Sequence, residues 1–213
     1  MARDDWFRNH TWSPNIAETF FARLVRSRDA AKRAQYLRIQ AAELISTQEA
    51  NLIQVALQLL EQHLQEFTDP YERTQAHAHA AKCYALLEDH ERAFQQFRES
   101  LGENKRAPHI DCGVAVDFPW LIVNLRRSDL YDEALSLLPG ESGPFPVTKF
   151  KIAAARAVIA DHRGDTREAV KNALEALGAA SSTESGLGYH QASGLVGVDH
   201  EQMVQWLQQC VAV

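Results

Sequence analysis

Nine histidines and three cysteines are the residues best able to bind a metal or act as nucleophiles, and their spacing tests both roles. His77 and His79 are two apart, so a helix points them to opposite sides. His79 and Cys83, at i and i+4, share a helical face, and His109 and Cys112 lie three apart in a polar connector. A zinc site needs four protein ligands, or three and a water. Neither pair has further ligands at a recognisable spacing, so the expectation is no metal and no cofactor. Cys83 sits in an alanine-rich helix, where a buried thiol is inert. Cys112, beside Asp111 and Gly113 and near His109, is the cysteine with reactive surroundings, and a nucleophile paired with a base is the chemistry it would offer. Gly186-Leu187-Gly188 and Gly194-Leu195-Val196-Gly197 follow no strand and complete no phosphate-binding loop. With no catalytic constellation assembled, the expectation is that the chain is not an enzyme.

The elements that would carry these side chains are helical. Of 213 residues, 46% are apolar and 23% charged, with only 10 Gly and 7 Pro, as in soluble helix-rich proteins. No apolar run approaches the ~20 residues that span a bilayer, so no membrane partner is expected. The head, Met1 to Arg8, lacks an apolar signal core. Three dispersed cysteines in no CxxC pair suit reduced thiols, and a cytoplasmic location is expected. A formal charge of −6 argues against nucleic acid as the partner of the whole chain. The charge is uneven, however. Arg23, Arg26, Arg28, Lys32, Arg33 and Arg38 face one acid, Asp29, and this basic 23–38 patch supports an alternative reading as a regulator that binds nucleic acid or a small ligand.

The aromatic head (Trp6, Phe7, Trp12, Phe20, Phe21) and the helix start Ser13-Pro14 read as an N-terminal cap over residues 1–28. Helices are expected from about Asp29 to Ile45, after Ser46-Thr47-Gln48-Glu49 up to Asp69-Pro70, from Tyr71 to Leu87 and from His90 to Leu101. A polar connector, Gly102 to Gly113, leads to an apolar helix expected to begin near Pro119. Leu130 to Leu138, Thr148 to His162 and Thr166 to Leu177 follow. Residues 179–198 read as a flexible Ser/Gly-rich segment, and Asp199 as the cap of a final helix within 199–213. Nothing reads as a strand.

Three stretches are variants of one phrase: Leu87-Glu88-Asp89-His90-Glu91-Arg92-Ala93-Phe94, Asp129-Leu130-Tyr131-Asp132-Glu133-Ala134-Leu135 and Arg163-Gly164-Asp165-Thr166-Arg167-Glu168-Ala169-Val170. Their alanines, Ala93, Ala134 and Ala169, lie 41 and 35 residues apart. Each phrase ends one helix, turns and starts another, and recurrence at such a period marks stacked helix pairs.

In this pattern the chain resembles the tetratricopeptide repeat family. His77 to Leu101 is the best match, with Ala81, Tyr84, Leu87, Asp89-His90, Ala93, Phe97 and Leu101 in the family's positions. Ala153 to Leu177 keeps Ala157, Gly164-Asp165, Ala169 and Leu177, and Trp120 to Leu138 keeps Tyr131, Ala134 and Leu138 with a turn about one residue longer. A degenerate pair spans Tyr36 to Leu64. The head, Asp5 to Asn9 with Trp12, looks like the start of uncharacterised bacterial repeat proteins. The resemblance implies an all-α, short right-handed α-solenoid of about four helix pairs over 29–178, with capping helices at both ends. It implies reversible binding of a protein or peptide, as an adaptor, an assembly factor or a bacterial immunity protein; self-association is compatible with it. First helices of such pairs line the groove. The positions implied are Gln75, Lys82, Leu86, Lys151, Ala154, Asp161 and His162, with Arg38 and Asn124 from the less regular pairs.

Overall fold

A computed structural model describes residues 5–106, 112–140, 143, 145–185 and 194–212. Ten α-helices and two short 3-10 turns account for the secondary structure of these residues, and no strand occurs among them. The chain divides into two units, Met1–Val114 and Ala115–Val213.

In the first unit, Ser13 accepts a hydrogen bond from the Ile16 N–H and Pro14 occupies the first position of α1 (Pro14–Arg26). Asp29 caps α2 (Ala30–Ser46) by accepting from the Ala31 and Lys32 N–H groups. α3 (Ala50–Glu66) buries Leu52, Ile53, Ala56, Leu59 and Leu60 in one stripe. Asp69 caps α4 (Pro70–Leu86), and Asp89 caps α5 (His90–Asn104). The small residues Ala76, Ala80 and Ala81 of α4 are all buried, and α4 packs closely with both α5 and α3. Removing larger side chains there lets helix backbones approach and keeps the interior dense. α5 runs past the expected start of the connector at Gly102. Its last turn is held because Arg73 Nε donates to Glu103 Oε1 at 2.8 Å, and Ser100 Oγ donates to the Thr74 carbonyl at 2.8 Å.

The aromatic head is a strap on this unit. Trp6 packs on Phe20 and Tyr36 with ring centroids 5.4 and 4.9 Å apart, and Trp12 packs on Phe20 at 5.5 Å. Its polar anchor is Gln40, a fully buried residue. Gln40 Oε1 accepts from the Asn9 backbone N–H at 3.0 Å and from Asn9 Nδ2 at 2.7 Å, while Gln40 Nε2 donates to the Asn9 carbonyl at 2.7 Å.

In the second unit, α6 (Val114–Asn124) begins five residues before Pro119, which lies inside the helix. The expected start at the proline is therefore corrected. Proline removes the bond to the carbonyl four residues earlier, but Val114, Val116 and Phe118 are buried and hold the first turn in place. A 3-10 turn, Ser128–Leu130, precedes the short α7 (Tyr131–Leu137). α8 (Pro146–His162) and α9 (Thr166–Ala180) pack along their lengths, whereas α6 and α7 approach each other much less closely. α10 (Glu201–Val211) packs on α9 and buries Met203 and Leu207. Asp199 does not cap it. A 3-10 turn, Val198–His200, intervenes, and His200 occupies the cap position without a side-chain bond. Within the segment expected to be flexible, Ala179 and Ala180 belong to α9, and residues 186–193 lie outside the described residues.

One turn recurs. Gln48, Glu88, Arg126 and Gly164 all have positive φ, and each is the second residue after α2, α4, α6 and α8 respectively. After α4, the Glu88 N–H donates to the Ala85 carbonyl and the Asp89 N–H to the Tyr84 carbonyl; Gly164 and Asp165 repeat this on Asp161 and Ala160, and Arg126 and Arg127 on Val123 and Ile122. This left-handed closure satisfies carbonyls that a helix end otherwise leaves bare. In the α4/α5 and α8/α9 hairpins the next residue is an aspartate that caps the following helix, on Arg92 N–H and Glu168 N–H. The first and third repeated phrases contain this turn, at Glu88-Asp89 and Gly164-Asp165, whereas in the second it falls at Arg126-Arg127, ahead of Asp129.

Candidate functional site

At 100° per residue, Tyr71, Gln75, His79, Lys82 and Leu86 fall within an arc of about 80° on α4. Tyr71 and Leu86 are large apolar side chains left 50% and 45% exposed, and Lys82 is exposed between them. Gln75 and His79 are half-buried. Gln75 Nε2 and His79 Nδ1 are enclosed, yet neither has a hydrogen-bond partner among the described residues. Burial, followed by the positive charges of Lys82 and Arg38, drives the His79 pKa down to about 4. The ring is neutral at pH 7.

Beside this stripe lies a buried polar cluster. Arg38 Nε, from α2, donates to Glu72 Oε2 of α4 at 2.7 Å. His63 of α3, fully enclosed, brings Nε2 to 3.7 Å from the same oxygen, and neither ring nitrogen has a partner. That separation is long for a hydrogen bond, so Arg38 makes the direct bond while His63 acts on the same carboxylate as a close polar neighbour. Burial raises the Glu72 carboxyl; His63 and Arg38 lower it by more, and it sits below the usual carboxylate range. The pair crosslinks α2 to α4.

The positions expected to face a groove divide by unit. Gln75, Lys82 and Leu86 share the α4 face. Arg38 is committed to Glu72 and largely buried. In the second unit, Lys151 Nζ is 2.8 Å from Asp117 Oδ1 and 5.9 Å from the Trp120 ring centre. Asn124 is exposed and donates from Nδ2 to the Trp120 carbonyl at 2.7 Å. Asp161 and His162 are exposed, the His162 ring standing edge-on to Tyr131 at 5.1 Å. Ala154 is fully buried; it belongs to the core of α8 and not to a groove, because residues 152–155 are all enclosed and the helix has no open side there.

The basic segment is also divided. Arg23 and Arg26 are exposed on the last turn of α1, Arg33 Nη1 donates to the Ser27 carbonyl that ends it, and Arg38 is removed from the set by Glu72. Among the candidate nucleophiles, Cys83 is fully buried, and desolvation pushes its thiol up to about 12. Cys112 is half-buried with Sγ 3.8 Å from Ser100 Oγ, and His109 lies outside the described residues. His77 Nδ1 is bonded to Gln96 Oε1 at 2.8 Å. Among the described residues, no group of three His, Cys, Asp or Glu side chains is placed to hold a metal ion, and no helix is long and apolar enough to cross a membrane.

The sequence weighed His79 only as a metal ligand beside Cys83 and did not single out Glu72 or His63. As part of the α4 face, His79 is legible as the next position, i+4, after Gln75. His63 falls in phase with Leu52, Ala56, Leu59 and Leu60, the signal of a buried histidine. Comparison with protein-family models, curated proteins and solved structures found no match.

Proposed function

We propose that the chain is a non-catalytic binding scaffold of tetratricopeptide-like hairpins, and that the open face of α4 holds an extended segment of a partner protein. The observation that carries this reading is the stripe Tyr71, Gln75, His79, Lys82 and Leu86, in which two enclosed nitrogens lack partners. An unsatisfied buried polar group costs about 1–3 kcal/mol, and a ligand that supplies the missing bond recovers it. Gln75 and His79 are one turn apart, about 6 Å along the axis. Like-facing backbone groups of an extended peptide repeat every two residues, about 6.6–6.8 Å. Rotation of the terminal torsions, both broad two-fold rotors, turns these nitrogens outward to meet such groups. Tyr71 and Leu86 supply apolar contacts at the two ends, and Lys82 favours an acidic residue between them. Three free cysteines, Cys83 sealed in the core, support a reducing compartment such as the cytoplasm.

Selection of a random peptide library displayed on phage against the full chain tests the reading. Enriched peptides should lose at least about tenfold in affinity against Lys82→Glu combined with Leu86→Glu, with helicity unchanged because both sites are exposed. Failure to enrich any sequence, or equal binding to the double variant, refutes it.

A further inference from the structure

Arg156 carries a half-buried guanidinium whose bonding is incomplete. Its Nη2 donates to the Pro139 carbonyl at 2.7 Å, and it pairs with no carboxylate among the described residues. A guanidinium has five N–H donors in a fixed fork, so most of its capacity is unspent. It lines a half-open cleft of about 240 Å³ inside the second unit, floored by Ile159 and Ala160 of α8 and walled by Leu135 of α7 and Asn172 of α9.

The acids at the rim do not neutralise it. Asp165 accepts from the Glu168 N–H as the cap of α9, at 3.1 Å. Glu168 Oε1 takes Lys171 Nζ at 2.9 Å and Asn172 Nδ2 at 3.1 Å. Bonding from Lys171 first, then from Asn172, holds its carboxyl below the usual range. Arg163, seven residues from Arg156 and so on the same side of α8, adds a second guanidinium, paired with the exposed Asp132. An ion pair that exposed contributes little and is easily exchanged.

We propose that this cleft is a binding site for a monocarboxylate carried on a short branched aliphatic group. The guanidinium fork matches a carboxylate in two parallel bonds, and Leu135, Ile159 and Ala160 give the aliphatic part an apolar seat. The volume is below the ~300–1,000 Å³ of sites for drug-sized molecules, which selects a small ligand. Asp165 and Glu168 nearby repel any anion, a doubly charged phosphate about twice as strongly as a monocarboxylate. The same chemistry occurs in a free branched-chain acid and at the C-terminal leucine or valine of a peptide.

Titration of the full-length chain, followed by amide shifts of the Asn172 side chain and the Leu135 backbone, tests the site. Isovalerate should give saturable shifts, while the neutral isovaleramide and inorganic phosphate should give none. N-acetyl-leucine tests the chain-end source: tighter binding than isovalerate assigns the carboxylate to a peptide terminus, and weaker binding assigns it to a free acid, the proposal holding in both cases. Arg156→Gln keeps a donor for the Pro139 carbonyl and should weaken isovalerate binding about ten- to a hundredfold. Ala160→Met fills the floor with Arg156 intact and should abolish it. The proposal is overturned if isovalerate gives no saturable shift, if isovaleramide or phosphate binds equally well, or if either variant, still folded by its thermal transition, binds isovalerate like the parent.

Discussion

Replacing His79 with leucine should flatten the acid sensitivity of the first unit. The ring is half-buried on α4 with its Nδ1 enclosed, and its pKa falls from an unfolded 6.5 to about 4, by burial first and then by Lys82 and Arg38. The unfolded chain therefore binds a proton that the folded one refuses. Stability from this group is complete above 6.5 and is lost as pH falls from 6.5 toward 4. At pH 5 the loss is about 2 kcal/mol, and it approaches about 3 kcal/mol once the pH passes 4. His77 is shifted down as well, by burial first, but it remains in the variant and cancels from the comparison. Glu72, whose carboxyl is held below the carboxylate range against the push of burial, adds acid lability only at lower pH. Urea unfolding of a Trp120→Phe, Trp206→Phe background leaves Trp6 and Trp12 to report on the first unit. Between pH 7 and pH 5 the parent should lose about 2 kcal/mol more than the His79→Leu chain. Equal losses in the two chains would refute the burial argument.

The recurrent turn predicts opposite signs at equivalent positions. Gly164→Ala should destabilise the second unit by about 0.5–1 kcal/mol, since φ is +76 there and no atom lies within 4 Å of an added Cβ, whereas Glu88→Gly should stabilise the first by a similar amount; thermal unfolding reads both, and like signs would contradict a shared geometry. Glu72→Gln should cost about 3–5 kcal/mol at pH 7 because Arg38 is left charged and enclosed, while Arg38→Met with Glu72→Leu should cost far less; chemical denaturation distinguishes the two, and a benign Glu72→Gln would show the pair to be solvated. Cys83 should resist a thiol reagent in the native chain, its thiol being buried and pushed up to about 12, while Cys112 and Cys210 react; three equivalents consumed before unfolding would contradict the packing of α4.

Helix identity was legible wherever capping chemistry and apolar phase agreed. Ser13-Pro14 announces a helix that the structure contains, and a helix expected from about Asp29 starts there; at Asp69, Asp89 and Asp165, read as a helix stop and as turns, the structure adds that the same side chain caps the helix that follows. Reading failed where tertiary burial overrode a local rule. Pro119 reads as a boundary, but the apolar residues before it are buried and carry the helix through. Asp199 reads as a cap, yet a 3-10 turn follows Gly197 and moves the helix start to Glu201. Gln75, Lys82 and Leu86 of the α4 face were reached through the repeat resemblance, which implied them as groove positions. Ala154 shows the limit of that approach, because a periodic position is a groove only if no other helix covers it. The Arg156 cleft could not be read from the sequence at all, since its meaning lies in which acids already have partners.

The strap anchored by Gln40 has a practical corollary. A fragment trimmed to begin at Ser13 would keep every helix of the first unit, yet strip Trp6 and Trp12 from Phe20 and Tyr36 and leave the Gln40 amide without Asn9. Such a fragment should be helical but sticky, and its tendency to clump would come from a missing lid rather than from a damaged fold.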